Sequence, residues 1–303
     1  MPLLDATGTA ARLPYPELAR EVSALLHDSS VQVPPRLVQA LPGGGSLFVM
    51  PALDSRIAIT KLISYTPANA GTGRPAIQGD VVVFDLATGE RRLVLDGPTV
   101  TARRTAAVSL LAAQQLASNP HCPLLVVGAG VQGRAHLEAF AAGLNVKDVL
   151  IASRSPASAQ ALADHARTLG LRASVVPDPN TVLTDCPLVV TCTPASGVVL
   201  QAPPRPDAFI AAVGAFTPKM VELSPELCRH IATQGTVVLD TRDADHEAGD
   251  LLQAGLDVTR FATLQDVLRA KKNRPDVKVG PVLFKSCGWA GWDLAAARLA
   301  LPL

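Results

Sequence analysis

"LLVVGAGVQGRAHLEAF" (124–140) runs from an apolar stretch through a glycine-rich turn into residues with helical spacing. Gly128, Gly130 and Gly133 stand in GxGxxG spacing, after a strand signal and at the opening of a helix. In that context the first glycine permits a tight turn and the second lets a pyrophosphate approach the backbone. The third lets helix and strand pack closely, while the helix start, with Val131 and Gln132, offers free N–H groups and the positive end of a dipole. The motif alone is weak evidence. Its setting is stronger: "DVLIAS", "RASVVP", "PLVVTCTP", "AFIAAVGA" and "GTVVLDT" follow at intervals, separated by helical stretches. Short apolar runs alternating with helices predict parallel strands buried on both faces, an α/β, doubly wound (Rossmann) dinucleotide domain.

The end of the second strand selects the dinucleotide. An NAD site places Asp or Glu there to bind the ribose 2′-hydroxyl. Here Ser153, Arg154 and Ser155 occupy the position. A guanidinium flanked by hydroxyls suits a 2′-phosphate, which a carboxylate would repel. NADPH is therefore expected, with NADH as the second choice; the plainer account makes Arg154 a solvated strand-end residue. Thr191 and Thr193, in "VVTCTP", close a later strand at its carboxyl end, where such sheets face their ligands. They are expected on the nicotinamide side, or else simply close the strand.

Before this region the pattern differs. "SLFVMPALDSRIAITKLISYTP" and "GDVVVFDLATGERRLVLDG" alternate apolar and polar residues around turn formers, the second as a hairpin. "TVTARRTAAVSLLAAQQLAS" then predicts a long helix with threonine available as cap. The change of rhythm near residue 112 sets the expected boundary: residues 1–112 as an α+β domain, 113–287 as the Rossmann domain. The closing "GWAGWDLAAARLA" predicts a helix, 288–303, returning to the first domain.

Composition narrows the partners. The 303 residues are 48% hydrophobic and 17% charged, with a net charge of +1. That balance favours neither nucleic acid nor a membrane surface. There is no apolar run of membrane-spanning length, and the first residues lack the features of a signal peptide. Five scattered cysteines (Cys122, Cys186, Cys192, Cys228, Cys287) without a CxxC pair read as reduced thiols in a cytoplasm. None of the six histidines pairs with a second ligand at metal spacing, so no metal site is expected.

Several segments together resemble the ornithine cyclodeaminase/mu-crystallin family: "KLISYTPANAGTGRPAIQG", "TVTARRTAAVSLLAAQQLA", "VVGAGVQGRAHLEAF" and "GPVLFKSCGWAGWDLAAARLA". They occur in the family's order from about residue 30 onward, and the combination is specific where no single piece is. The resemblance implies an N-terminal substrate-binding and dimerisation domain, a nucleotide domain, a homodimer, and a substrate carboxylate beside the carbon that exchanges hydride. It also implies Lys61 and Arg104 as carboxylate binders, with Arg36 another basic residue near that pocket. The residue types suit the task, since an α-imino carboxylate needs its anion held so that the C=N is oriented, and Arg does this with a planar fork. Sequence alone does not separate Arg104 from Arg103; only the family register does.

One departure bears on the reaction. Cyclodeaminases of the family carry an aspartate in a "GGDCPGK"-like loop after the fifth strand, whereas this chain has "AAVGAFTPKMVEL" and places Phe216 there. Phenylalanine accepts no proton, so ammonia elimination loses its base unless another group, such as Glu222, supplies it. Reduction needs only a hydride, a proton and a clamped carboxylate. Phe216 would offer an apolar wall to a ring. The expectation is an NADPH-preferring imine reductase for small cyclic α-imino acids, converting Δ1-pyrroline-2-carboxylate to proline and Δ1-piperideine-2-carboxylate to pipecolate. Lys61 and Arg104 would hold the carboxylate, and Lys61 or a water would supply the proton. The rival accounts are cyclodeamination, an alanine or N-alkyl amino acid dehydrogenase, and an NADP-dependent small-molecule binding protein.

Overall fold

The computed structural model describes residues 2–69, 72–120, 123–194, 197–270 and 280–301, so Cys122 lies outside the described residues. The chain forms two compact units, Met1–Arg104 with Trp289–Leu303, and Thr105–Gly288.

The first unit opens with β1 (Leu3–Leu4), α1 (Ala6–Arg12) and α2 (Tyr15–His27). Neither helix is among the elements expected from the sequence. Leu18, Ala19, Val22, Leu25 and Leu26 recur at helical spacing and form the buried face of α2. A six-stranded sheet follows, with β2 (Leu37–Leu41), β3 (Gly45–Leu53), β4 (Ile57–Tyr65), β5 (Ile77–Asp85) and β6 (Arg91–Asp96) in the order β1-β6-β5-β4-β3-β2. β1 pairs parallel with β6, and the other neighbours are antiparallel. The hairpin expected from "GDVVVFDLATGERRLVLDG" is β5–β6. Helix α3 (Gly97–Leu116) begins earlier than predicted, because the Asp96 carboxylate accepts from Thr99 N at 2.8 Å and supplies the cap expected of threonine.

The second unit carries an eight-stranded sheet. Its strands are β7 (Leu124–Val127), β8 (Asp148–Ala152), β9 (Arg172–Val175), β10 (Leu188–Thr191), β11 (Phe209–Ala212), β12 (Thr236–Leu239), β13 (Ala262–Thr263) and β14 (Val282–Lys285). The order is β13-β12-β14-β11-β10-β7-β8-β9, and every pairing is parallel. β7, β10, β11 and β14 are buried along their whole length, as strands covered on both faces must be. Helices α4 (Val131–Leu144), α5 (Pro156–Thr168), α6 (Pro225–Gln234), α7 (Gly249–Gln253) and α8 (Leu264–Arg269) connect them. β14 was not among the predicted strands, yet it lies between β11 and β12. The strand order reverses between β7 and β10, the switch point at which such sheets bind ligands.

Helix α9 (Ala290–Ala300) belongs to the first unit, where it packs against α2, β3 and β4. Arg298 anchors it, its Nε 2.5 Å from Asp54 Oδ2 and its Nη2 2.6 Å from Asp28 Oδ2.

Candidate active site

Alternation along β4 turns Ile57, Ile59, Lys61 and Ile63 toward the core, so a lysine enters an apolar face. Burying an ammonium is costly unless it is paired. Asp293, fully enclosed in the first turn of α9, provides the pairing: Lys61 Nζ lies 3.2 and 3.4 Å from its two oxygens. The positive end of the helix also favours a carboxylate there. The same Oδ1 accepts from Arg104 Nε at 3.3 Å, and Arg104 is buried as well. Two cations thus share one carboxylate, leaving a surplus of one positive charge. Burial pushes the Lys61 ammonium down to about 8; Asp293 opposes this, and Arg104 and then Arg36 add to it. Arg36 itself is exposed, just before β2, and joins the group through its charge.

The structure separates the two neighbouring arginines that the sequence left ambiguous. Arg103 Nε donates to Leu13 O at 2.7 Å, and its guanidinium lies 3.9 Å from the Tyr15 ring centroid, so it holds the start of α2. Arg104 is the one that meets Lys61 and Asp293. Asp293 was missed in the sequence because an acid inside an alanine-rich helix reads as a solvent-facing position.

In the second unit the glycine turn has the geometry its spacing implies. Gly128 adopts φ +108°, and a Cβ there would fall 2.8 Å from Cys192 O. A Cβ on Gly133 would fall 1.9 Å from Gly128 O, so α4 crosses β7 at a distance only glycine allows. Gly130 is the N-cap of α4, with no side-chain cap and open space where a Cβ would stand. Val131 is exposed, and Gln132 Oε1 is a buried acceptor without a hydrogen bond. An uncapped helix start with room above it fits a dinucleotide phosphate. At the end of β8, Arg154 is exposed and Ser153 half-buried, while the Ser155 hydroxyl accepts from Ser158 N and caps α5.

The carboxyl ends of β10 and β11 meet at Glu222, which is fully enclosed. Its Oε1 accepts from Thr193 N at 2.7 Å and Thr193 Oγ1 at 2.8 Å. Its Oε2 accepts from Gly214 N at 2.7 Å, Thr191 Oγ1 at 3.0 Å and Ala215 N at 3.2 Å. Asp250 accepts from the backbone of Glu222 and Leu223, and its other oxygen lies 2.8 Å from the buried Lys285 Nζ. Burial pushes the Glu222 carboxyl up, and the Lys285 charge and Thr193 N–H pull it back. Against burial, Asp250 raises Lys285.

Thr191, expected on the nicotinamide side, has its side chain enclosed and its hydroxyl committed to Glu222. Thr193, half-buried, shares the same carboxylate, and Phe216 is 49% exposed on the loop after β11. Cys186, Cys192, Cys228 and Cys287 are free thiols, all buried.

Together the sheet order, the glycine turn and the strand-end loops define an α/β protein of the doubly wound, dinucleotide-binding type, with an α+β unit as its second part. Comparison with known proteins narrows that class. The sequence model of the ornithine cyclodeaminase/mu-crystallin family matches residues 13–301, and the chain belongs to that family. A Δ1-pyrroline-2-carboxylate reductase of Burkholderia multivorans is 39% identical over 99% of this chain and 94% of its own length. The ketimine reductase mu-crystallin of Mus musculus is 34% identical over 90% of this chain and 85% of its own. Among solved structures, the Δ1-pyrroline-2-carboxylate reductase of Thermococcus litoralis, in complex with NADH and L-proline, has the same fold. It superposes with a TM-score of 0.89 at 24% identity, covering 99% of this chain and 96% of its own.

Proposed function

We propose that this protein reduces small cyclic α-imino acids with NADPH, or less readily NADH, taking Δ1-pyrroline-2-carboxylate to proline and Δ1-piperideine-2-carboxylate to pipecolate. The observation that carries the proposal is the buried Lys61–Asp293–Arg104 group, whose surplus positive charge calls for a ligand anion. Relatives named for this reaction, 38–39% identical over 99% of the chain, support it.

Gly128, Gly130, Val131, Gln132 and Gly133 would receive the pyrophosphate, and Ser153, Arg154 and Ser155 the 2′-phosphate. When bound, the dinucleotide supplies the hydride. The chain's own residues do the rest. Arg104, whose Nε alone is engaged among the described residues, offers its terminal nitrogens to the substrate carboxylate. Lys61 adds a second charge, and Asp293 holds its Nζ in place. With its proton leaving near pH 8, Lys61 Nζ is charged at neutrality yet able to release a proton to the imine nitrogen. Phe216 offers an apolar face to the ring methylenes. Cyclodeamination has less support: no acid occurs between Gly214 and Val221, and both oxygens of Glu222 are taken up by donors.

The active form is a homodimer in this proposal, built on the outer face of the six-stranded sheet. Leu37, Val49 and Leu62 align directly across β2, β3 and β4, and Leu37 and Leu62 are 56% and 45% exposed. A row of apolar side chains on an open sheet face is the kind of surface a second copy covers. The buried free thiols accord with a cytoplasmic location; no described helix is long and apolar enough to cross a membrane.

The test follows NADPH loss at about 340 nm with each cyclic imine, with NADH in parallel. Turnover with NADPH supports the whole reading. Turnover with NADH alone overturns the cofactor preference. Silence on both imines, with ornithine yielding proline and ammonia, overturns the reductase.

A further inference from the structure

We propose that Glu222 is a positioning residue for the dinucleotide: one enclosed carboxylate fixes the backbone after β10 to the backbone after β11, so that the nicotinamide half meets a prebuilt surface. The inference rests on the dinucleotide reading given above.

The regular pairing of β10 with β11 ends at Thr191 and Ala212, with Val213 N donating to Thr191 O at 3.0 Å as the last rung. Beyond that rung Glu222 supplies the acceptors. Thr193 N and Oγ1 come to it from one side; Gly214 N and Ala215 N come from the other. The two backbones are in direct contact there, since a Cβ on Gly214 would fall 2.1 Å from Thr193 O and 2.5 Å from Glu222 Oε1. A carboxylate is an acceptor-only group with about four lone-pair positions, and five donors converge on this one. An amide in its place would turn an NH2 toward N–H donors.

The carboxylate is also held from behind. Asp250 Oδ1 takes the Glu222 and Leu223 N–H groups at 2.6 and 2.9 Å, and Asp250 Oδ2 pairs with Lys285 Nζ. Lys285 Nζ lies 3.3 Å from Ala212 O, at the end of β11. These side chains bind the strand ends beside the switch point, on the side where open α/β sheets receive ligands. With every lone pair engaged, Glu222 acts through Thr193 and the Gly214–Ala215 backbone and does not touch the reacting atoms.

Two variants of the full chain test this, Glu222→Gln and Thr193→Val, with dinucleotide affinity read directly from NADPH fluorescence without substrate. In Glu222→Gln the dissociation constant for NADPH should rise about tenfold or more, the effect of reversing buried hydrogen bonds. The KM for the imine at saturating NADPH should move about twofold at most, because the carboxylate group lies on other residues. Thr193→Val, which removes one of the five donors, should weaken NADPH in the same direction by a smaller factor. A folded Glu222→Gln protein with wild-type NADPH affinity overturns the proposal. Should Glu222→Gln fail to fold, unchanged affinity in Thr193→Val overturns it instead. Wild-type protein that binds NADPH but reduces no cyclic imine would remove the proposed reaction and leave this inference standing.

Discussion

At the scale of single residues, the decisive chemistry lies in charges the fold has buried. Replacing Lys61 by Met leaves Arg104 alone against Asp293 and removes one charge from the anion site. The expected loss is about 2–4 kcal/mol of transition-state binding, roughly 30- to 1000-fold in kcat/KM, read by steady-state kinetics. The pH dependence has a definite sign. In the proposed reaction Lys61 is charged when it holds the carboxylate and gives a proton, so kcat/KM should fall as pH rises through about 8. Stability should move the other way. The folded state lowers this lysine from 10.5 to about 8, so between those values the unfolded chain binds more protons and stability rises with pH. Urea titrations of wild type and Lys61→Met should therefore diverge in favour of wild type as pH increases across that window. Arg154→Ala should weaken NADPH about tenfold to a hundredfold and leave NADH nearly unchanged, measured by paired dissociation constants. The family resemblance singled out Lys61, and sequence pattern singled out Arg154 by its place at a strand end. It missed Asp293 and Lys285, whose burial depends on partners far along the chain: 232 residues separate Lys61 from Asp293.

At the scale of elements, the glycine turn was the most legible feature because its constraints are local. Gly133 shows this: its missing Cβ would meet Gly128 O within the same short stretch. Gly133→Ala should force α4 away from β7 and destabilise the second unit by about 1–3 kcal/mol, visible as a lower denaturation midpoint. β14 was harder to see. "VLFK" is a short apolar run ending in a lysine, and only its place between β11 and β12, with Lys285 meeting Asp250, explains the charge at its end. Helices α1 and α2 were overlooked for a different reason: Pro14 and Pro16 suggest interruption, yet both fall at the start of α2, where proline is tolerated.

At the scale of the whole molecule, the apolar row on the outer face of the first sheet predicts the assembly. Leu62→Lys should place a charge in that face and shift the protein toward monomer in light scattering, while a variant that stays dimeric would rule this face out. Along the chain, alternation with period two gives way to alternating strands and helices, and this change of rhythm is what the sequence offers toward a division into two parts. Helix α9 is held in the first unit by long-range partners, Arg298 with Asp54 and Asp28, so that unit is discontinuous along the chain. That discontinuity has a consequence for biosynthesis. The ribosome makes Lys61 ahead of Asp293 by 232 residues, with the whole of the second unit between them. At translation speeds of about 5–20 residues per second, the nascent β4 waits on the order of tens of seconds for its counter-ion. During that interval an unpaired lysine faces what will become the core, so the first unit closes only as α9 emerges, and chains cut short before it would be the ones that quality control removes.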